Sequence, residues 1–171
     1  MNQDYRPCVG VMVLNKAGQV LIGRRKNKRQ VEHVAPNFEW QMPQGGIDEG
    51  EQPYAAALRE LYEETNISSV ELLAESPEWY SYDLPVDNVR KVWRGRYKGQ
   101  IQRWFAFRFT GPVSEIDIDH PAGGAAKPEF DAYRWENIDR LVDLIIPFKR
   151  PVYEKVVADF AHLTKDESVS G

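Results

Sequence analysis

Between Gly45 and Ile67 the chain reads GGIDEGEQPYAAALRELYEETNI, and Glu60, Glu63 and Glu64 stand within it at helical spacing. With 3.6 residues per turn, Glu63 lies about 60° and Glu64 about 40° around the helix axis from Glu60. Like charges so placed repel and weaken a helix, so a positive partner is expected between them. A divalent metal is the natural candidate, and ligands made only of carboxylate oxygen suit a hard cation such as Mg²⁺ or Mn²⁺. The stretch therefore predicts a loop leading into a metal-binding helix that starts near Pro53, a residue favoured in the first turn, and runs to about Thr65. Ala55, Ala56 and Ala57 keep that helix slim, and Leu58 and Leu61 are expected to face a core.

Around it the chain alternates strand and turn signals. Residues 8–14 (CVGVMVL) form an apolar run suited to a buried strand, Asn15 to Gly18 a turn, and Gln19 to Gly23 a returning strand. Residues 26–38 are expected to be a loop, and Trp40 to Met42 a brief strand that delivers the chain to Pro43-Gln44-Gly45-Gly46. Further strands are expected at 70–74, 79–84, 101–109 and 130–135, with an irregular loop over 112–128. Val152, Val156, Val157, Phe160 and Ala161 recur with helical period, which predicts an amphipathic helix from Pro151 to about Leu163. Strands and helices mix without the regular alternation of a doubly wound sheet, so pattern alone gives an α/β domain with a mixed sheet.

The length of 171 residues suits one domain, expected over 1–164, with residues 165–171 a frayed tail. No stretch approaches the ~20 apolar residues of a membrane span, and the N-terminus lacks a signal-peptide pattern. The cytoplasm is the simplest compartment. Cys8, the single cysteine, excludes an internal disulfide and reads as a buried small hydrophobe. His33, His120 and His162 have no ligand spacing and read as surface residues. A net charge of −4 argues against nonspecific coating of nucleic acid. Two basic runs stand out: Arg24, Arg25, Lys26, Lys28 and Arg29, then Arg90, Lys91, Arg94, Arg96, Lys98 and Arg103. Each can be a solvated loop, or can steer phosphate toward an anion-processing site.

The Gly45–Ile67 stretch resembles the signature of the Nudix hydrolases, G-x5-E-x7-R-E-U-x-E-E-x-G-U with U aliphatic. Gly45, Glu51, Arg59, Glu60, Leu61, Glu63, Glu64 and Ile67 fall in register, and Asn66 stands where the pattern has glycine. Asn is the next best residue for a left-handed helix C-terminus, so intact chemistry is expected at a small stability cost. The resemblance implies an α/β/α sandwich whose loop–helix–loop carries metal. It casts Glu60 and Glu64 as the main ligands, and Glu63 as a further ligand or the acceptor of a water proton. It casts Arg59 as the residue that orients Glu51, and the Gly45 carbonyl as an extra ligand.

Other blocks, Trp40-Gln41-Met42-Pro43-Gln44-Gly45-Gly46-Ile47 and Pro128-Glu129-Phe130-Asp131 among them, resemble the branch of bacterial RNA pyrophosphohydrolases and dinucleoside polyphosphate hydrolases. There Glu129 matches a glutamate outside the signature that completes the metal site or serves as general base. Arg6, Arg25 and Lys149 match phosphate- or RNA-contacting positions, Tyr82 and Phe148 are candidates for base or phosphate contacts, and Gln44 and Gln102 for hydrogen bonds to phosphate. The implied substrates are 5′-triphosphorylated RNA, converted to the monophosphate with loss of pyrophosphate, or diadenosine tetraphosphate, split into ATP and AMP. A Nudix-shaped sensor without catalysis remains the alternative of a different class; such modules lose signature glutamates, and all are present here. No obligate protein partner is implied, and a monomer would suffice.

Overall fold

The computed structural model describes residues 4–26, 38–85 and 96–165. Its sheet is organised around β1 (Tyr5–Leu14), which pairs in parallel with β7 (Gly99–Phe109) along its whole length, from Tyr5↔Gly99 to Leu14↔Arg108. The other strands are β2 (Val20–Arg25), β3 (Trp40–Gln41), β4 (Gln44–Gly46), β5 (Val70–Glu75), β6 (Tyr80–Asp83) and β8 (Phe130–Glu136). The order β3-β2-β1-β7-β5 forms the main path, with β4 on β1, β6 on β7 and β8 on β2. All pairings other than β1–β7 are antiparallel, which makes the sheet mixed.

Alternation along β1 divides the core in two. Val9, Val11 and Val13 pack with Phe105, Phe107 and the Ala56, Ala57 and Leu61 side chains of helix α1 (Pro53–Thr65). Met12 and Leu14 face the opposite way, into a cluster with Trp104 and with Val152, Val156 and Phe160 of α3 (Arg150–Phe160). A short α2 (Leu141–Leu144) packs beside α3. The result is an α/β/α sandwich. It explains why residues 8–14 read as a continuous apolar run: a strand covered on both faces has no solvent side to mark with polar residues. Full burial of Leu61 alone contributes roughly 2 kcal/mol.

Helix α1 occupies the span its sequence predicts. Pro53 fills its first turn, where a missing N–H costs nothing. Its end is set by Asn66, in the left-handed conformation at φ 67° with its N–H donating to the Tyr62 carbonyl. Asn66 also does what glycine cannot: its Nδ2 donates to the Glu115 carbonyl at 3.0 Å, and its Oδ1 accepts from the Gly123 N–H at 2.8 Å.

Several boundaries differ from expectation for physical reasons. The β1 strand begins at Tyr5, because β7 supplies partners for Tyr5, Arg6 and Pro7, which look polar in isolation. Gln44–Gly46, beyond the brief strand expected at Trp40 to Met42, is itself a strand because it pairs with Cys8, Val9 and Gly10 of β1. The 112–128 loop contains 3-10 turns at Val113–Glu115 and Ala122–Gly124, and further short helical turns occupy 138–149. Cys8 is fully buried, with its thiol pushed up to about 12 by desolvation. His120 and His162 are exposed. Lys28, Arg29, His33, Arg90, Lys91, Arg94 and residues 166–171 lie outside the described residues.

Candidate active site

Arg59, on the inner face of α1, binds the loop before the helix to the helix itself. Its Nε and Nη2 grip the two oxygens of Glu51 at 2.8 and 2.9 Å, a planar two-point pair of the kind only arginine makes. Nη2 also donates to the Gly46 carbonyl at 2.8 Å, and Nη1 to Glu60 at 2.9 Å and Glu63 at 3.0 Å. Glu51 in turn accepts the Asp48 N–H at 3.0 Å, closing the loop. The Arg59 guanidinium holds the Glu51 carboxyl down at about 2. The sequence pairs Glu51 with Arg59, but the contributions of the Gly46 carbonyl and Asp48 N–H are backbone contacts that no residue type announces.

Glu60 and Glu64 lie one turn apart on the more enclosed side of the helix. Burial pushes Glu60 up to about 7, against the opposing pull of Arg59. Burial pushes Glu64 well above the usual carboxylate range, and the charges of Glu60 and Glu129 push the same way. Glu64 accepts a hydrogen bond from the Gln44 N–H, yet its Oε2 is buried with no hydrogen-bond partner among the described residues. Gly45 lies directly on Glu60: a Cβ there would sit inside contact distance of the carboxylate. Two mutually repelling carboxylates, one with an orphaned oxygen, beside a backbone stripped of its Cβ, fit a hard divalent cation. Among the described residues no three acidic, histidine or cysteine side chains already converge as a finished cage. Glu63 is turned toward Arg59 with 41% of its side chain exposed, and Glu129 is exposed.

Cationic groups gather beside the carboxylates. The Arg6 guanidinium lies against Gly46, and its charge acts on Glu60. Lys149 is 1% exposed, and burial together with the Arg25 charge brings its ammonium down to about 7. Arg25 is itself held below its usual value by burial. A β-bulge between Arg24 and Arg25 breaks the alternation there. The Lys149 Nζ lies 5.5 Å from the Tyr82 ring, which packs 5.6 Å from the half-buried Phe148 ring. The Tyr82 hydroxyl is buried with no hydrogen-bond partner among the described residues.

The two glutamines part company. Gln44 is half-buried beside the acidic cluster, whereas Gln102 is 1% exposed with both ends of its amide engaged. Gln102 Oε1 accepts from the Trp104 indole at 3.0 Å, and its Nε2 donates to Gln44 at 3.1 Å and Gln100 at 2.9 Å. Expected as a phosphate donor, Gln102 instead spends its amide within the protein.

Residues 4–160 match the NUDIX domain model, so the chain belongs to the Nudix family, hydrolases of phosphoric anhydrides that generally use divalent metal ions. It is 56% identical over 162 residues to an RNA pyrophosphohydrolase of Azorhizobium caulinodans, covering 95% of each chain. It is also 56% identical over 160 residues to the Agrobacterium fabrum protein of the same name, covering 94% of each. Among solved structures it resembles a C. elegans Ap4A hydrolase in a binary complex, with a TM-score of 0.62 over 92% of this chain and 98% of that one. At 17% identity that likeness shows the fold alone. No helix among the described residues is long and apolar enough to cross a membrane.

Proposed function

We propose that this chain is an RNA 5′-pyrophosphohydrolase that converts 5′-triphosphorylated RNA to 5′-monophosphorylated RNA and pyrophosphate, the step that opens a transcript to decay. The observation that carries the reading is the acidic pair Glu60 and Glu64 with Arg6 acting on Glu60, Lys149 acting on Glu64, and Arg25 beside Lys149. An anion chain can lie with one end neutralised by protein cations and the scissile phosphate over the carboxylates. The 56% identity to proteins named for that activity, nearly end to end, supports the same choice.

Glu60, Glu64 and the Gly45 carbonyl are the residues that would hold Mg²⁺ (or Mn²⁺), with Glu63 and Glu129 at hand to complete the set. When bound, the cation supplies charge neutralisation at the phosphate oxygens and a lowered pKa for water. The protein's own contribution is positional. Arg59 clamps Glu51 and the Gly46 carbonyl, so the loop and the helix present their oxygens as one rigid unit. Arg6, Arg25 and Lys149 bind the phosphates and offset negative charge on the departing pyrophosphate. Glu63 and Glu129, the more exposed carboxylates, are the candidates to take the proton from the attacking water. Tyr82 offers its buried hydroxyl to the phosphate chain, and Phe148 offers a ring to the first base.

The Tyr82–Phe148 pair also favours a second reading, since a dinucleoside polyphosphate would place an adenine there. A single domain over residues 1–164, acting as a monomer in the cytoplasm, completes the proposal. Incubating short 5′-triphosphorylated RNA with the protein and Mg²⁺ tests it. The expected products are 5′-monophosphorylated RNA and pyrophosphate in equal amounts, with turnover abolished in Glu60→Gln. Wild-type turnover that survives in Glu60→Gln would refute the assigned site.

A further inference from the structure

Gln102, Gln44 and Trp104 form a hydrogen-bond chain whose direction is fixed by chemistry. An indole N–H can only donate, so the Gln102 atom 3.0 Å from Trp104 Nε1 must be its carbonyl oxygen. The other end of that amide is then NH₂, and it faces Gln44 at 3.1 Å and Gln100 at 2.9 Å. Both recipients must therefore turn their oxygens toward Gln102. For Gln44 this leaves the NH₂ as the outward end of the amide. Gln100 and Gln102 are 4% and 1% exposed, whereas Gln44 is only half-buried, so Gln44 is the end of the chain that a ligand can reach. Its own backbone N–H donates to Glu64, so Gln44 is the member of the chain that adjoins the acidic pair.

The sheet makes this chain possible. Gln102 lies on β7 and Gln44 on β4, with β1 between them. The intervening β1 positions are Cys8, opposite Gln102, and Gly10, opposite both Gln44 and Trp104. A Cβ at Gly10 would collide with the Trp104 ring. A small residue and a glycine thus leave room for the indole to lie across β1 and for two glutamine side chains to meet above it.

We propose that Gln102, set by Trp104, is a positioning residue that locks Gln44 with its NH₂ toward the phosphate chain, so that the site selects a phosphate acceptor and rejects a donor at that point. The inference rests on the phosphate-cleaving reading above, and assigns Gln102 a role through Gln44 rather than contact with substrate. Left unlocked, an amide presents its oxygen as readily as its nitrogen, and an oxygen facing a phosphate repels it.

The test is a double-substitution cycle on KM and kcat for 5′-triphosphorylated RNA, with inhibition by inorganic pyrophosphate as an independent binding readout. Gln102→Leu is expected to raise KM and the pyrophosphate inhibition constant on the order of tenfold, the scale of one hydrogen bond to a charged group, with kcat changed less than KM. In a Gln44→Leu background the same substitution should change neither constant by more than about twofold, since additivity fails only for residues that act through one another. Trp104→Phe, which keeps an aromatic ring but removes the donor, should move the constants in the same direction by a smaller factor. An equal effect of Gln102→Leu in both backgrounds would overturn the proposal and leave Gln102 a packing residue. Wild-type protein that binds pyrophosphate but does not turn over RNA would refute the RNA reading while the cycle on pyrophosphate still decided the positioning role.

Discussion

Replacing Glu60 by Gln should make the metal-free protein more stable at neutral pH while destroying its activity. Glu60 has its pKa raised from 4.5 to about 7, chiefly by burial. A carboxyl with a raised pKa holds its proton better in the folded than in the unfolded chain, so between about pH 4.5 and 7 the folded state binds more protons. Stability from this group then falls as pH rises through that window. At 1.36 kcal/mol per unit, the shift corresponds to a penalty of about 3 kcal/mol that is complete above pH 7. The Glu60 side chain is only 14% exposed, so solvent screening removes little of it. Gln is the neutral isostere: it keeps the oxygen that accepts from Arg59 and removes the charge that burial disfavours. Urea denaturation in EDTA at pH 7.5 should therefore show Glu60→Gln more stable than wild type by roughly 2–3 kcal/mol, with the difference vanishing near pH 4.5. Saturating Mg²⁺ should stabilise wild type and reverse the order, because a cation that binds only the folded state adds RT ln(1 + [L]/Kd). Equal stability of the two proteins in EDTA across this range would refute the argument that an unneutralised acidic pair is buried here.

Glu51 titrates with the opposite sign. Its pKa is depressed to about 2 by Arg59, so its contribution is present above about pH 4.5 and lost as pH falls toward 2; acid unfolding of Glu51→Gln should be correspondingly flatter below pH 4.5, with a loss of about 2–3 kcal/mol at pH 7 by the same arithmetic. Asn66→Gly, which restores the glycine of the family signature, should destabilise by about 1 kcal/mol in thermal or urea melts. Glycine keeps the left-handed turn but drops the hydrogen bonds to Glu115 and Gly123. Gly45→Ala should lower kcat/KM at least about tenfold with little loss in melting temperature, because the added methyl displaces the flexible Glu60 carboxylate rather than backbone.

The sequence made helix α1 legible because its constraints are local. Glutamate spacing, Pro53 and the left-handed position at Asn66 each act within a turn or two, and together they place α1 and the Arg59–Glu51 pair. The α/β/α class followed from resemblance, since a strand buried on both faces shows no alternation to read. What stayed hidden depends on partners distant in the chain. Nothing near Gln44–Gly46 marks it as a strand until β1 lies beside it. The roles of Gln44 and Gln102, alike as residue types, separate only when Trp104 arrives at hydrogen-bond distance. The tie from Asn66 to Glu115 and Gly123 spans some 50 residues, and no local signal carries it.

The most direct test of the account is kcat/KM with Mg²⁺ for short 5′-triphosphorylated RNA, measured beside diadenosine tetraphosphate. The account predicts a preference for RNA of tenfold or more, about 1.4 kcal/mol of transition-state stabilisation. An equal preference the other way would contradict it, and would make the Tyr82–Phe148 pair an adenine grip in a nucleotide-clearing enzyme.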